Sequence, residues 1–120
     1  MARLILIEDD DLLRSLVGRK LSAAGHEVIA LPDGRDLFAL MDKVHVHAVL
    51  VDLGLPYLDG MSLIEGLRAR GHEQPVIALS GRDEQHLQAA VQSSGANRFM
   101  AKPFDTGDLV QEVQRLLRCV

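Results

Sequence analysis

Four stretches of this chain carry side chains that could do chemistry together. Glu8-Asp9-Asp10-Asp11 sets four carboxylates in a row directly behind the apolar run Leu4-Ile5-Leu6-Ile7. Asp52 follows Ala48-Val49-Leu50-Val51, Ser80 follows Pro75 to Leu79, and Lys102 follows Phe99 to Ala101. A carboxylate at the end of such an apolar run has a poor structural excuse, because an unpaired charge there is costly. Carboxylates brought together cannot all stay ionised without a counter-charge. A lysine ammonium supplies part of it, and a divalent cation can supply the rest. With oxygen ligands only, that cation is magnesium, or manganese, rather than zinc or copper.

Whether these residues meet depends on the elements that carry them. Short apolar runs read as strands: Leu4–Ile7, buried on both faces, a weaker Val28–Leu31, Ala48–Val51, Pro75–Leu79 and a short Phe99–Ala101. Helical periods separate them. Leu12, Leu13, Leu16, Val17, Leu21 and Ala24 recur at helical spacing, and Gly25 follows as a stop. Leu37, Phe38, Leu40 and Met41 suggest a short second helix. Asp59 can cap a third, carrying Met61, Leu63, Ile64 and Leu67 and closed by Gly71. A polar fourth helix is predicted over Asp83 to Ser94, with Leu87, Ala90 and Val91 as its apolar stripe. Asp105 or Thr106 starts the last, with Leu109, Val110, Val113, Leu116 and Leu117 on its inner side.

Strands alternating with helices imply a parallel sheet covered on both faces. Five such units match a flavodoxin-like doubly wound (βα)5 fold, three layers αβα with strand order 2-1-3-4-5. Ligands of such sheets bind beyond the carboxyl ends of the strands. Glu8, Asp9, Asp52, Ser80 and Lys102 all stand there. Three carboxylates and one ammonium give a local charge of −3 + 1 = −2.

Composition agrees with one domain spanning residues 1–120. Hydrophobic residues are 48% and charged residues 25%, which suits a packed globular core. Aromatics are only 3%, too few for a base-stacking platform, and the net charge of −4 disfavours direct nucleic-acid or anionic-membrane binding. The single cysteine, Cys119, leaves no internal disulfide and no cysteine-based zinc site, and reads as an ordinary thiol. No apolar run is long enough to span a bilayer and no signal-peptide pattern precedes the acidic run, so the expected location is the cytoplasm. His45 and His47 could bind a metal together, but read more simply as solvent-facing residues at a strand entrance. Asp10 and Asp11 read as helix-capping residues.

The chain resembles the receiver domain of two-component response regulators, the CheY-like family. The resemblance is carried by Leu4-Ile5-Leu6-Ile7-Glu8-Asp9-Asp10, Val51-Asp52-Leu53-Gly54-Leu55-Pro56, Asp59-Gly60, Ala78-Leu79-Ser80-Gly81 and Ala101-Lys102-Pro103-Phe104. It covers the whole chain, with each motif at a strand end. It implies that Asp52 is a phosphoacceptor for a phosphohistidine on a sensor histidine kinase or phosphotransfer protein. It implies a magnesium ion held by Asp9, Asp52 and the backbone carbonyl of Gly54, with Glu8 acting mainly through a bound water. Lys102 and Ser80 would hold phosphoryl oxygens, and Gly81 would offer its backbone N–H. Ser80 and Phe99 would be the switch pair, reporting phosphorylation to a surface made of the fourth helix, fifth strand and fifth helix. That surface would serve an output partner or a fused output domain. The family's usual cis bond is expected at Lys102–Pro103.

Some positions depart from common receivers. Ser80 replaces a more frequent Thr. Gly54 and Arg82 stand where the family tunes the phosphoryl lifetime. Asn97-Arg98 replaces acidic residues of symmetric-dimer relatives, which weakens the case for that dimer. Three other readings compete. A magnesium-dependent phosphohydrolase needs a general acid two residues beyond its nucleophile, where this chain has Gly54. A flavodoxin needs a phosphate loop after the first strand, where Glu8 to Asp11 would repel phosphate. A non-phosphorylated receiver-like binding module does not explain the full acidic set with Lys102.

Overall fold

The computed structural model describes residues 2–118, with the backbone alone at 82–84. Five strands, β1 (Arg3–Ile7), β2 (Glu27–Leu31), β3 (Ala48–Asp52), β4 (Val76–Ser80) and β5 (Arg98–Ala101), form one parallel sheet in the order β2-β1-β3-β4-β5. The helices are α1 (Asp11–Ala23), α2 (Leu37–Lys43), α3 (Gly60–Ala69), α4 (Gln88–Ser93) and α5 (Thr106–Arg118). The doubly wound architecture expected from the sequence is the one observed.

Alternation along the buried strands divides the core into two layers. Ile5, Ile7, Val49, Val51, Val76 and Ala78 pack with Leu37 and Met41 of α2, Leu63, Ile64 and Leu67 of α3, and Val91 of α4. Leu4, Leu6, Leu50, Ile77 and Leu79 meet Val17 and Leu21 of α1 and Leu109, Val113 and Leu116 of α5 on the opposite face. The apolar period of α1 is therefore only partly core. Leu12 is 74% and Leu16 43% exposed, on the side of the helix turned from the sheet.

The helix ends follow from local chemistry. Asp10 accepts from the Leu13 N–H at 2.9 Å, and Asp59 accepts from the Ser62 N–H at 2.9 Å. Asp105 accepts from the Gly107 and Asp108 amides at the start of α5. Each is an N-cap that satisfies donors the helix cannot. At the other end, α1 and α3 close in Schellman motifs. Gly25 (φ 98°) donates to the Ser22 carbonyl and His26 to that of Leu21. Gly71 (φ 83°) and His72 repeat the pattern with Arg68 and Leu67.

Helix α4 departs from expectation. The predicted helix over 83–94 is split into a 3-10 segment, Arg82–Leu87, and one short α-helix. Nothing apolar lies between Arg82 and His86, so no burial rewards an α period there. Only Leu87 and Val91 of the predicted stripe reach the core, and Ala90 faces solvent. Smaller shifts move β4 one residue on from Pro75 and start β2 at Glu27.

Candidate functional site

Parallel register brings the strand ends level. Ile7 pairs Val51, Asp52 pairs Leu79, and Ser80 pairs Ala101. The next residues after β1 and β5 are Glu8-Asp9 and Lys102, so the sheet delivers them to one edge.

There, Glu8, Asp9 and Asp52 each offer a carboxylate oxygen within 4.8 Å of the others. Lys102 Nζ lies 2.7 Å from Glu8 Oε1 and 3.2 Å from Asp52 Oδ2. The 2.7 Å approach is an ionic contact off the hydrogen-bonding direction, and Oε1 accepts no well-directed hydrogen bond. Glu8 Oε2 accepts from the Asp10 N–H at 3.1 Å. Asp52 Oδ1 accepts from the Gly54 N–H at 3.2 Å. Glu8 and Asp52 are buried and Asp9 is exposed, so the cluster opens to solvent on the Asp9 side.

Burial pushes the Glu8 carboxyl up to about 7, against the pull of Lys102 and the Asp10 N–H, with the Asp52 charge adding to the rise. Burial also acts to raise Asp9, but hydrogen bonding with Asp52 and Glu8 outweighs it and leaves Asp9 below its ordinary value. Burial works to lower the Lys102 ammonium, and its contacts with Glu8 and Asp52 outweigh that and raise it. One cation among three carboxylates leaves an excess of negative charge. The donors are oxygens only and converge on a small volume, which fits a hard dication such as magnesium.

Ser80 is buried at the end of β4, and its hydroxyl donates to the Gly81 carbonyl at 3.0 Å. The Lys102 N–H donates to the Ser80 carbonyl at 2.6 Å, continuing the β4–β5 ladder, and the Lys102–Pro103 bond that follows is cis, as expected. Gly81 is half-buried and Gly54 exposed beside the cluster. Phe99 is half-buried on β5, packed against the layer that holds α3 and α4. The Arg82 side chain and Cys119 lie outside the described residues. His47 is not simply solvent-facing: its Nδ1 accepts from the Arg3 N–H at 3.0 Å, while the exposed His45 ring meets it edge-on.

Sequence reasoning missed several supporting residues. Arg14 Nη1 donates to the Glu8 carbonyl at 2.9 Å and its Nη2 pairs with Asp11 at 2.6 Å, which fixes the start of α1 beneath the cluster. Gly60 lets α3 press against β3, because a Cβ there would lie 2.3 Å from the Asp52 carbonyl oxygen. A glycine just inside a capped helix was the available signal. Tyr57 has φ 70°, and the Leu58 N–H donates to the Pro56 carbonyl at 2.9 Å, as in the rarer, positive-φ γ-turn. That backbone costs a bulky residue about 1–2 kcal/mol, and no local sequence rule anticipates it.

The response regulator receiver domain family matches residues 4–114. The chain is 32% identical over 118 residues to the transcriptional regulatory protein PcoR of Escherichia coli, covering 98% of this chain and 52% of that protein. It is 35% identical over 118 residues to the virulence transcriptional regulatory protein PhoP of Salmonella typhimurium, covering 98% of this chain and 53% of that one. It thus spans about half the length of these relatives. The Francisella response regulator 1452 receiver domain superposes with a TM-score of 0.91 at 26% identity, covering 98% of each chain. The receiver domain of NtrX from Brucella abortus gives 0.90 at 27%, covering 98% of this chain and 99% of that one. A parallel sheet with an acidic, lysine-bridged edge and a family match over nearly its whole length lead to one conclusion: this chain belongs to the receiver domains of two-component response regulators.

Proposed function

We propose that residues 1–120 act as one receiver that takes a phosphoryl group onto Asp52 from a phosphohistidine of a sensor histidine kinase or phosphotransfer protein. The observation that carries this reading is Lys102 Nζ bridging Glu8 and Asp52 at the ends of three strands. An Asp52 carboxylate oxygen forms the new bond to phosphorus as the phosphorus–nitrogen bond breaks. The departing imidazole nitrogen keeps the electron pair. Asp9, Asp52 and the Gly54 carbonyl would hold magnesium, with Glu8 contributing through a water. Bound magnesium neutralises charge on the phosphoryl oxygens. Lys102 holds one of those oxygens as a point charge, Ser80 turns its hydroxyl from Gly81 to another, and the Gly81 N–H meets the same group. Manganese, with the same preference for oxygen, is expected to substitute.

The exposed Leu12 and Leu16 adjoin an open cavity of about 470 Å³ between α1 and the turn after β5, lined also by Leu13, Lys102, Pro103 and Phe104. An apolar patch beside Lys102 supports docking of the phosphodonor protein there. Ser80 and Phe99 would pass the change to the face of α4, β5 and α5, where an output domain or separate partner reads it. We infer a cytoplasmic location from the same reading. Among the described residues, no helix is long and apolar enough to cross a membrane.

The test is labelling by a small phosphodonor. Labelling that requires magnesium and disappears in Asp52→Asn supports the reading. Magnesium-independent labelling, or labelling that survives the substitution, overturns it. Continuous release of phosphate over many turnovers would favour the phosphohydrolase instead.

A further inference from the structure

The loop between β3 and α3 contains a conformation that its own sequence disfavours. Tyr57 holds φ at 70°, where a glycine sits without cost, and the residue is 73% exposed, so burial does not compensate. The ring has one close partner of opposite character. The Arg35 guanidinium carbon stands 4.2 Å from the ring centroid, within cation–π range. Arg35 is itself held in place. Its Nη2 reaches Asp33 Oδ2 at 3.0 Å, and its Nε reaches Oδ1 at 3.2 Å. The Arg35 backbone N–H donates to Oδ1 at 3.0 Å, so Asp33 grips this arginine three times. Asp33 is largely covered, and the pairing holds its carboxyl below its ordinary value.

Position gives this contact its consequence. Asp33 and Arg35 lie between β2 and α2, whereas Tyr57 lies between β3 and α3. Strands β2 and β3 flank β1, so the bridge runs past the end of the strand that delivers Glu8 and Asp9. The loop it grips follows Asp52 directly and includes Gly54, three residues before Tyr57. Leu53 is tied down by its N–H to the Leu79 carbonyl and by its carbonyl to the Gly60 N–H, and Leu55 is buried. Tyr57 is the next fixed point along the loop.

We infer that Asp33, Arg35 and Tyr57 form a latch between the two loops that sets the Gly54–Leu58 backbone, making Arg35 and Tyr57 positioning residues for the metal-binding edge of the site. This consequence rests on the proposed magnesium site; the latch itself does not. The latch predicts that removing either half loosens the loop and weakens magnesium uptake without disturbing the sheet.

The experiment compares the wild-type chain with Arg35→Ala, Tyr57→Ala and Tyr57→Phe. Amide hydrogen exchange of metal-free protein, read by NMR, is the first arm. Both alanine variants should speed exchange at Gly54 and Leu58 by roughly fivefold or more, leaving Ile5 and Leu50 unchanged. Tyr57→Phe, which keeps the ring face, should match wild type. Calorimetry with magnesium chloride alone is the second arm, with several-fold weaker uptake expected for the alanine variants and none of that loss for Tyr57→Phe. Exchange within twofold of wild type in both alanine variants overturns the latch, as does a Tyr57→Phe that behaves like Tyr57→Ala. Faster exchange with unaltered magnesium affinity overturns the positioning role. A wild-type chain that takes up no magnesium overturns the metal-site reading and the positioning role with it, and exchange still decides the latch.

Discussion

Lys102 sits where two demands meet. It neutralises Glu8 and Asp52 in the resting site, and it would hold a phosphoryl oxygen during transfer. These demands separate on substitution. Lys102→Ala should slow labelling by a small phosphodonor by about a hundredfold or more, the scale of losing one well-placed cation at a charged transition state. The same change leaves the carboxylates without their ammonium, so calorimetry should find magnesium bound more tightly, not less. His26 offers a prediction away from the site. It is buried, and neither ring nitrogen has a hydrogen-bond partner among the described residues. Burial lowers its pKa below the ordinary 6.5, so the unfolded chain takes up the proton first as pH falls. The stability His26 contributes is complete above pH 6.5 and is lost as pH drops from there to the folded-state pKa, at no more than about 1.4 kcal/mol per pH unit. Glu8 acts in the opposite sense, because its raised carboxyl protonates first in the fold and stability falls as pH rises from 4.5 towards about 7. Denaturant titrations of wild type and His26→Leu should therefore be read as a difference: stability lost on acidification should be smaller in the variant. A difference that does not vary between pH 7.5 and 5 would sink the assignment.

Elements are joined at two points that tolerate little change. Arg68 of α3 donates to the carbonyls of His72, Gln74 and Gly95 and to Asn97 Oδ1, tying the turn before β4 to the turn before β5. It has no carboxylate partner among the described residues; its planar fork is used on three backbone carbonyls and one side-chain amide. Arg68→Ala should cost roughly 2–4 kcal/mol in urea unfolding, and Arg68→Lys should recover little, because a point charge cannot reach four acceptors. Gly60 joins α3 to β3. The atoms a Cβ would strike, the Asp52 carbonyl oxygen at 2.3 Å and Leu53 Cα at 2.8 Å, are backbone and cannot swing aside. Gly60→Ala should cost about 1–3 kcal/mol and slow labelling at Asp52 as well, since the displaced backbone is that of the proposed acceptor. Loss of stability with unchanged labelling would show that the strain is absorbed in α3. These joints mark where sequence reading runs short. Caps such as Asp10 and Asp59 are legible because donor and acceptor are three residues apart. Arg68 and Gly95 are 27 residues apart, and nothing local connects them.

For the molecule as a whole, the acidic edge is a store of unfavourable charge that a dication relieves. Magnesium at about 100 times its dissociation constant adds roughly 2.7 kcal/mol to the folded state. For a domain of this size that raises Tm by about 10 °C. Asp9→Ala, which removes one exposed carboxylate of the proposed metal site, should abolish most of the shift; an unchanged shift would place the ion elsewhere. The polar residues that gather at the strand ends, the parallel order of the sheet and most helix ends were legible in the linear chain. Unbroken apolar runs, capping side chains and glycine stops act over a few residues and so appear in the sequence itself. What tertiary structure alone decided depends on distant parts meeting. It set which leucines of α1 face outward, and it broke the expected fourth helix where no core rewards a regular period. It placed the Lys102 ammonium between two carboxylates, and it brought Arg35 over a strained Tyr57 from a different loop. Each of these is settled by burial and charge between elements far apart along the chain, and neither propensity nor periodicity carries that information.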